Sequence, residues 1–237
     1  MTRHNLCALL LLLTFAISGC VTTPCFTLLV DPGHMPAKPG VTSCSGVPEY
    51  RYNNQLARLL VSRLQQQAGV MLLLSRTDEQ NLELTERVRD SGSADLVLSL
   101  HHDSVQPQFL AEKIVDGEKR LCSDYSRGFS LFVSRKNRQY EQSLDFARRL
   151  GRGLVARGLH PNLTHAEPIA GENRLLLDRD LGVYAFDDLI VLKRSEAPAL
   201  LLEAGVVVNP ADEALVQSDE YREAIAEAVR ELFEEKK

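Results

Sequence analysis

Four residues far apart in the chain carry side chains suited to holding a metal ion or moving a proton: His34, Glu49, His101 and Glu203. Two imidazoles and one carboxylate, the set His34, Glu49 and His101, suit Zn2+, and three protein ligands leave a fourth position for water. A metal held that way lowers the pKa of the water and polarises a carbonyl. Proton movement then needs a separate carboxylate, and Glu203 is the candidate. It follows the apolar run Ala-Leu-Leu-Leu at 199–202, where an unpaired charge is costly. Asp31, three residues before His34, is expected to orient the loop or the imidazole as an acceptor behind the metal. Each piece alone has an ordinary reading: a strand-end histidine, an acid near a helix N-terminus, a buried acid paired with an arginine. Their joint placement at one sheet edge is what favours a metal site.

That placement depends on the elements between them. Apolar runs at 26–30, 70–75, 95–102, 128–134, 189–193 and 198–205 read as strands. Helical spacing places Leu56, Leu59, Leu60 and Leu64 on one face, with Gly69 as the stop. Further helices are expected at 82–92, at 140–158 and from near Ser218. Strands alternating with helices predict an α/β fold, with a mostly parallel sheet of about six strands and helices on both faces. In such folds ligands gather beyond the carboxyl ends of the strands, where His34, His101 and Glu203 all fall. Residues 105–127 read as a polar, irregular surface insertion. Residues 159–187 resist assignment, and their His160 and His165 read as exposed loop histidines.

The chain has 237 residues, 44% hydrophobic and 25% charged, which suits one globular domain with appendages. A net charge of −5 argues against a nucleic-acid partner. The first residues differ from the rest. The basic stretch MTRHN precedes the apolar run LCALLLLLTFAI, which is shorter than the roughly 20 residues of a membrane span and reads as a secretory signal. Ile17-Ser18-Gly19-Cys20 resembles a bacterial lipoprotein lipobox. That resemblance implies cleavage before Cys20 and a lipid on its thiol, which would anchor the protein to a membrane of the cell envelope. Val21 in place of aspartate leans towards the periplasmic face of an outer membrane. The expected layout is therefore a signal at 1–19, a lipidated tether at 20–25 and a catalytic domain at 26–237. Cys25, Cys44 and Cys122 remain in an oxidising compartment, an odd number that suggests one disulfide and one spare thiol. A Cys44–Cys122 bond is favoured, with three free thiols as the alternative.

The segments LLVDPGH, PEYRYNNQLARLL, LSRTDE, LTERV, ADLVLSLHHDS and APALLLEAGVVVNPADE occur in this order. They resemble the zinc-dependent N-acetylmuramoyl-L-alanine amidases of the amidase 3 family. The resemblance implies a central twisted sheet, one Zn2+ and cleavage of the amide between N-acetylmuramic acid and L-alanine in peptidoglycan. It implies that His34, Glu49 and His101 hold the metal, that Glu203 is the catalytic acid–base, and that Asn53 and Asn209 support the site or the substrate. His102 stands where the family often has alanine and is not taken as a ligand. Met35, Val206 and Val208 depart from common family residues without touching the chemical positions. Some relatives carry inserted segments that shield the metal until an activator protein removes them, and 105–127 or 159–187 are the places for one here. The rival readings are a wall-binding lipoprotein without catalysis and a zinc deacylase of small N-acyl amino acids.

Overall fold

Alternating apolar residues along three neighbouring strands divide the protein into two packed layers. The structure, a computed structural model, describes residues 26–233. The expected signal, Cys20 and Cys25 lie outside the described residues. Seven strands make one mixed sheet: β1 (Phe26–Pro32), β2 (Val70–Leu74), β3 (Leu96–Asp103), β6 (Ser130–Val133), β7 (Leu175–Asp178), β8 (Val183–Ala185) and β9 (Ala199–Val206). Two more, β4 (Ala111–Val115) and β5 (Glu118–Cys122), pair only with each other. The sheet order is β2-β1-β3-β9-β6-β8-β7. The block from β2 to β9 is parallel, as is β6 with β8, while β6 runs antiparallel to β9 and β7 to β8.

Successive strand residues point to opposite faces. Leu28, Val30, Leu98, Leu100, Leu200 and Leu202 build one core with α1 (Glu49–Leu64), α3 (Tyr140–Ala156) and α6 (Asp219–Arg230). Leu29, Val97 and Leu201 build the other, beneath the single turns α2 (Leu84–Arg87) and α4 (Ile190–Arg194). Asp31, Ser99, His101 and Glu203 share the parity of this second set. They emerge where short helices leave the strand ends open, while long helices cover the opposite face. A further helix, α5 (Pro210–Gln217), follows β9 directly.

Three segments depart from the sequence reading. Residues 189–193, expected as a strand, fall instead on α4 and its N-cap Leu189, and Val191 and Leu192 are buried against Leu201 and its neighbours. Periodicity cannot separate a strand from a helical turn in so short an apolar run. Residues 105–127 hold the β4–β5 hairpin, turned by Asp116-Gly117 with φ of 52° and 79°. Asp-Gly is a strong signal for such two-residue turns. Residues 159–187 contain β7 and β8, which carry the sheet to seven strands, and a buried His165 in place of the exposed loop histidine expected there. Its Nε2 lies 2.7 Å from Asp103 Oδ2 and its Nδ1 2.9 Å from Glu172 Oε2. Burial pushes this imidazole down, but the charge of Asp103 and the hydrogen bonds to both acids outweigh it and lift the pKa to about 10. The charged ring thus ties the segment to the end of β3.

Cys44 and Cys122 are disulfide-bonded, with Cα atoms 5.0 Å apart across a sequence separation of 78. The bond fastens the loop 36–48 to β5. Reducing it is expected to lower stability by about 2–4 kcal/mol, read as a fall in Tm of roughly 5–15 °C for a domain of this size; an unchanged midpoint would show that the bond restrains little.

The His165 pKa lies above its ordinary value of 6.5. Its contribution to stability is therefore complete below about pH 6.5 and is lost as the pH rises through about 10. Urea unfolding of wild type and His165→Gln should differ by about 3–5 kcal/mol at pH 6 and converge by pH 10–11. A difference that stays constant with pH would exclude a charged His165.

Candidate functional site

The local fold at the end of β1 is set by how backbone carbonyls are answered. Gly33 continues the ladder by donating to Leu100 O at 2.8 Å. The turn comes at His34 itself, whose φ is 57°, an unusual region for a side chain of this size, costing about 1–3 kcal/mol. Two buried arginines hold it there. Arg87 Nη2 donates to Pro32 O at 2.9 Å and to His34 O at 2.5 Å. Arg76 donates to Pro32 O at 3.1 Å and to Gly33 O at 3.2 Å. Burial, and then the charge of Arg87, brings the Arg76 pKa down to about 10. Asp31 accepts from the hydroxyls of Ser75 at 2.5 Å and Ser99 at 2.8 Å and lies 3.5 Å from Arg87 Nη1. None of these contacts reaches the His34 imidazole; Asp31 faces Arg87, which in turn holds the carbonyls of Pro32 and His34. Sequence reasoning gave no role to Arg76 or Arg87; a buried charge inside an otherwise polar stretch leaves no periodic signal.

Glu49 opens α1 and is only 3% exposed. Its Oε2 lies 3.1 Å from His34 Nε2 and its Oε1 3.1 Å from His101 Nδ1. Asn53, one helical turn on, donates to Glu49 Oε1 at 3.2 Å and to Gly33 O at 3.0 Å. Burial raises the Glu49 pKa, but hydrogen bonds and charge from His101 and His34 overcome this and hold the carboxyl well below the usual range. Two glycines make room. A Cβ on Gly33 would fall 2.3 Å from His101 Nε2, and one on Gly40 2.3 Å from Glu49 Oε2. His102 turns to the other face, where its Nδ1 meets Asn53 Oδ1 at 2.7 Å. Burial lowers its pKa to about 3, so it is neutral.

One donor atom each from His34, Glu49 and His101 falls within 4.8 Å of the other two. Ligands about 2.0–2.1 Å from a tetrahedral ion sit roughly 3.3 Å apart; here each imidazole lies 3.1 Å from a different oxygen of Glu49, so these three residues could close on such an ion. The excess of negative charge on a buried carboxylate between two imidazoles fits it as well.

Glu203 stands on β9 in register with His101 on β3 and with Ser130 on β6. Among the described residues, its Oε2 and the Ser130 Oγ are buried without a hydrogen-bond partner. Burial, followed by the charges of Asp103 and Glu49, raises the Glu203 pKa well above the ordinary range, against the opposing charge of His165. Two clefts flank the four residues and share Leu189 as a wall. One, of about 310 Å3, is mainly apolar and reaches His34 and His101 past Met35, Leu84 and Leu201. The other, of about 220 Å3, has mixed walls and contains the charged or polar Glu203, Asp103, Gln106, Glu172 and Arg174. Asn209, expected to support the site or the substrate, caps α5 by accepting from Ala211 N at 3.0 Å and donates to Ser126 O at 2.9 Å. Among the described residues none of its hydrogen bonds reaches the four chemical positions.

The family model described as Amidase_3, N-acetylmuramoyl-L-alanine amidase, matches residues 28–234. The putative N-acetylmuramoyl-L-alanine amidase YrvJ of Bacillus subtilis is 26% identical over 208 residues, covering 88% of this chain and 33% of that protein. The chain thus spans about a third of the length of that relative. The crystal structure of N-acetylmuramoyl-L-alanine amidase from Clostridium difficile 630 superposes with a TM-score of 0.66 at 23% identity, over 87% of this chain and 94% of the other. The CwlD amidase of Clostridioides difficile, solved in complex with the GerS lipoprotein, gives a TM-score of 0.59 at 18% identity, over 86% and 94%. These likenesses show a shared fold. The family match extends from β1 to the residues just beyond α6, spanning all four chemical positions, and on that coverage the chain belongs to the Amidase_3 family of N-acetylmuramoyl-L-alanine amidases.

Proposed function

We propose that this chain hydrolyses the amide between the lactyl group of N-acetylmuramic acid and the L-alanine of the peptidoglycan stem. The observation that carries this reading is the unpartnered Glu203 beside the His34–Glu49–His101 set. A zinc ion held by those three residues would polarise the scissile carbonyl and acidify a water. Glu203 takes the proton from the water as general base and returns it to the leaving amine as general acid. Burial raises its pKa above the ordinary carboxylate range, the direction that suits a carboxyl that must return a proton as well as accept one. Glu49 stays ionised throughout, and Asn53 holds it towards the two imidazoles.

The mature chain is proposed to begin at Cys20 and to be lipid-anchored in the cell envelope, on the periplasmic face of an outer membrane. Among the described residues no helix is long and apolar enough to cross a membrane. The proposed anchor rests on the segment ISGC. An activator protein is a further proposed partner, and the relative solved with a lipoprotein offers a precedent for a partnered amidase.

The two glutamates should separate by experiment. His34→Ala, Glu49→Ala and His101→Ala are expected to lose zinc and stem-peptide release together. Glu203→Gln is expected to keep zinc and lose about 10²–10⁴-fold or more in rate under saturating substrate. Elemental analysis beside mass analysis of released peptides reads both. A Glu203→Gln variant of near wild-type rate, or one that alone strips the zinc, would reverse the assignment. For the anchor, mass spectrometry of protein from its native cells should find an acylated N-terminal Cys20, absent in Cys20→Ala; unacylated wild-type protein would remove it.

A further inference from the structure

In the cleft beside Glu203, the guanidinium of Arg174 makes no ion pair among the described residues, although its charge helps to lower the Glu172 pKa. Arg174 Cζ sits 3.9 Å from the centroid of the Phe186 ring. Its backbone N–H donates to His165 O at 2.7 Å, so the clamp on His165 also fixes the backbone of Arg174. Its only hydrogen bond from the guanidinium among the described residues is a long one, 3.4 Å from Nη2 to Gly171 O. The nearby acids are engaged elsewhere. Asp103 and Glu172 both hold His165, and the second oxygen of Glu172 accepts from Gln106 at 2.8 Å. No carboxylate lies within ion-pair distance of Arg174 among the described residues.

An aromatic ring under one face leaves the edge N–H groups of a guanidinium free, and that edge matches a carboxylate in two parallel hydrogen bonds. The direction of the substrate follows from the mechanism. Glu203 must reach the leaving amine, so the peptide half lies in the cleft that contains Glu203, and the sugar half lies on the apolar side of Leu189. Within the peptide cleft, Asp103 and Glu172 already share the charged His165, which leaves Arg174 as the cation free to meet a substrate carboxylate.

We propose that Arg174, stacked on Phe186, binds a carboxylate on the peptide half of the substrate and so selects stems with a free acid next to the L-alanine. This rests on the amidase reading above for its orientation, but the carboxylate site can be tested apart from it. The probes are N-acetylmuramoyl-L-alanyl-D-glutamate γ-amide, with its α-carboxylate free, and the same compound with that carboxylate converted to the carboxamide. Wild type should show a KM about 10–100-fold lower for the acid, the range expected for a charged hydrogen-bonded pair. Arg174→Gln should raise the KM for the acid to that for the amide, with kcat changing much less. Arg174→Lys, which keeps the charge but not the fork, should restore part of the preference. Calorimetric binding of L-alanyl-D-glutamate γ-amide to the same proteins supplies a readout that does not need turnover. Equal KM values for acid and amide in wild type, or a preference that survives Arg174→Gln, would overturn the proposal. If neither compound is cleaved while the acid dipeptide still binds in an Arg174-dependent way, the carboxylate site stands and the amidase reading fails.

Discussion

The buried negative charge of Glu49 is the constraint around which the site is arranged. At 3% exposure the carboxylate has little water to stabilise it, and an unanswered charge there would neutralise itself by taking up a proton. The chain answers it from several directions at once: His34 and His101 on its two oxygens, Asn53 from the same helix, and the backbone N–H groups of Val41 and His102. Each answering group imposes a condition of its own. His101 can approach only because Gly33 has no Cβ, and the loop can wrap Glu49 only because Gly40 has none. His34 can point inward only from a left-handed backbone, which Arg76 and Arg87 hold by gripping the carbonyls of Pro32, Gly33 and His34.

The asymmetry of the two sheet faces places this arrangement. One face is sealed by α1, α3 and α6, and it carries most of the apolar core. The other has only the turns α2 and α4, so the residues of matching parity at the strand ends are left beside clefts instead of beneath helices. Glu203 illustrates the consequence. It shares its strand with Leu201 and Ala199, which are buried, yet it lies one step beyond the cover that α4 provides. A carboxyl in that position is partly dehydrated and open to a ligand, the combination that acid–base work requires.

Much of this was legible because it depends on periodicity and on strand ends. The apolar runs ending at 101 and 203 read as strands and brought His101 and Glu203 to the same strand ends, and the leucine spacing of 56–64 gave the first covering helix. What escaped was set by long-range contacts. The run at 189–193 carries the same apolar residues whether it is a strand or a turn, and only its packing on Leu201 decides. His165 looked like a loop histidine because Asp103 and Glu172, which bury and charge it, are 62 and 7 residues away. Asn209 followed a family pattern into the site, but its position just before Pro210 makes it a helix cap. That Asn-Pro pair, like Asp116-Gly117 in the hairpin, is a local signal that needs no long-range contact.

The central claim is that the buried carboxylate and its two imidazoles form a metal centre and that Glu203 stands next to it without belonging to it. Anomalous diffraction at the zinc edge, on crystals of the protein grown with zinc, tests this most directly. The expected result is one strong peak bonded to His34, Glu49 and His101, with the carboxylate of Glu203 nearby and uncoordinated. A peak held by His102 or His165, or one bonded to Glu203 in place of Glu49, would contradict it.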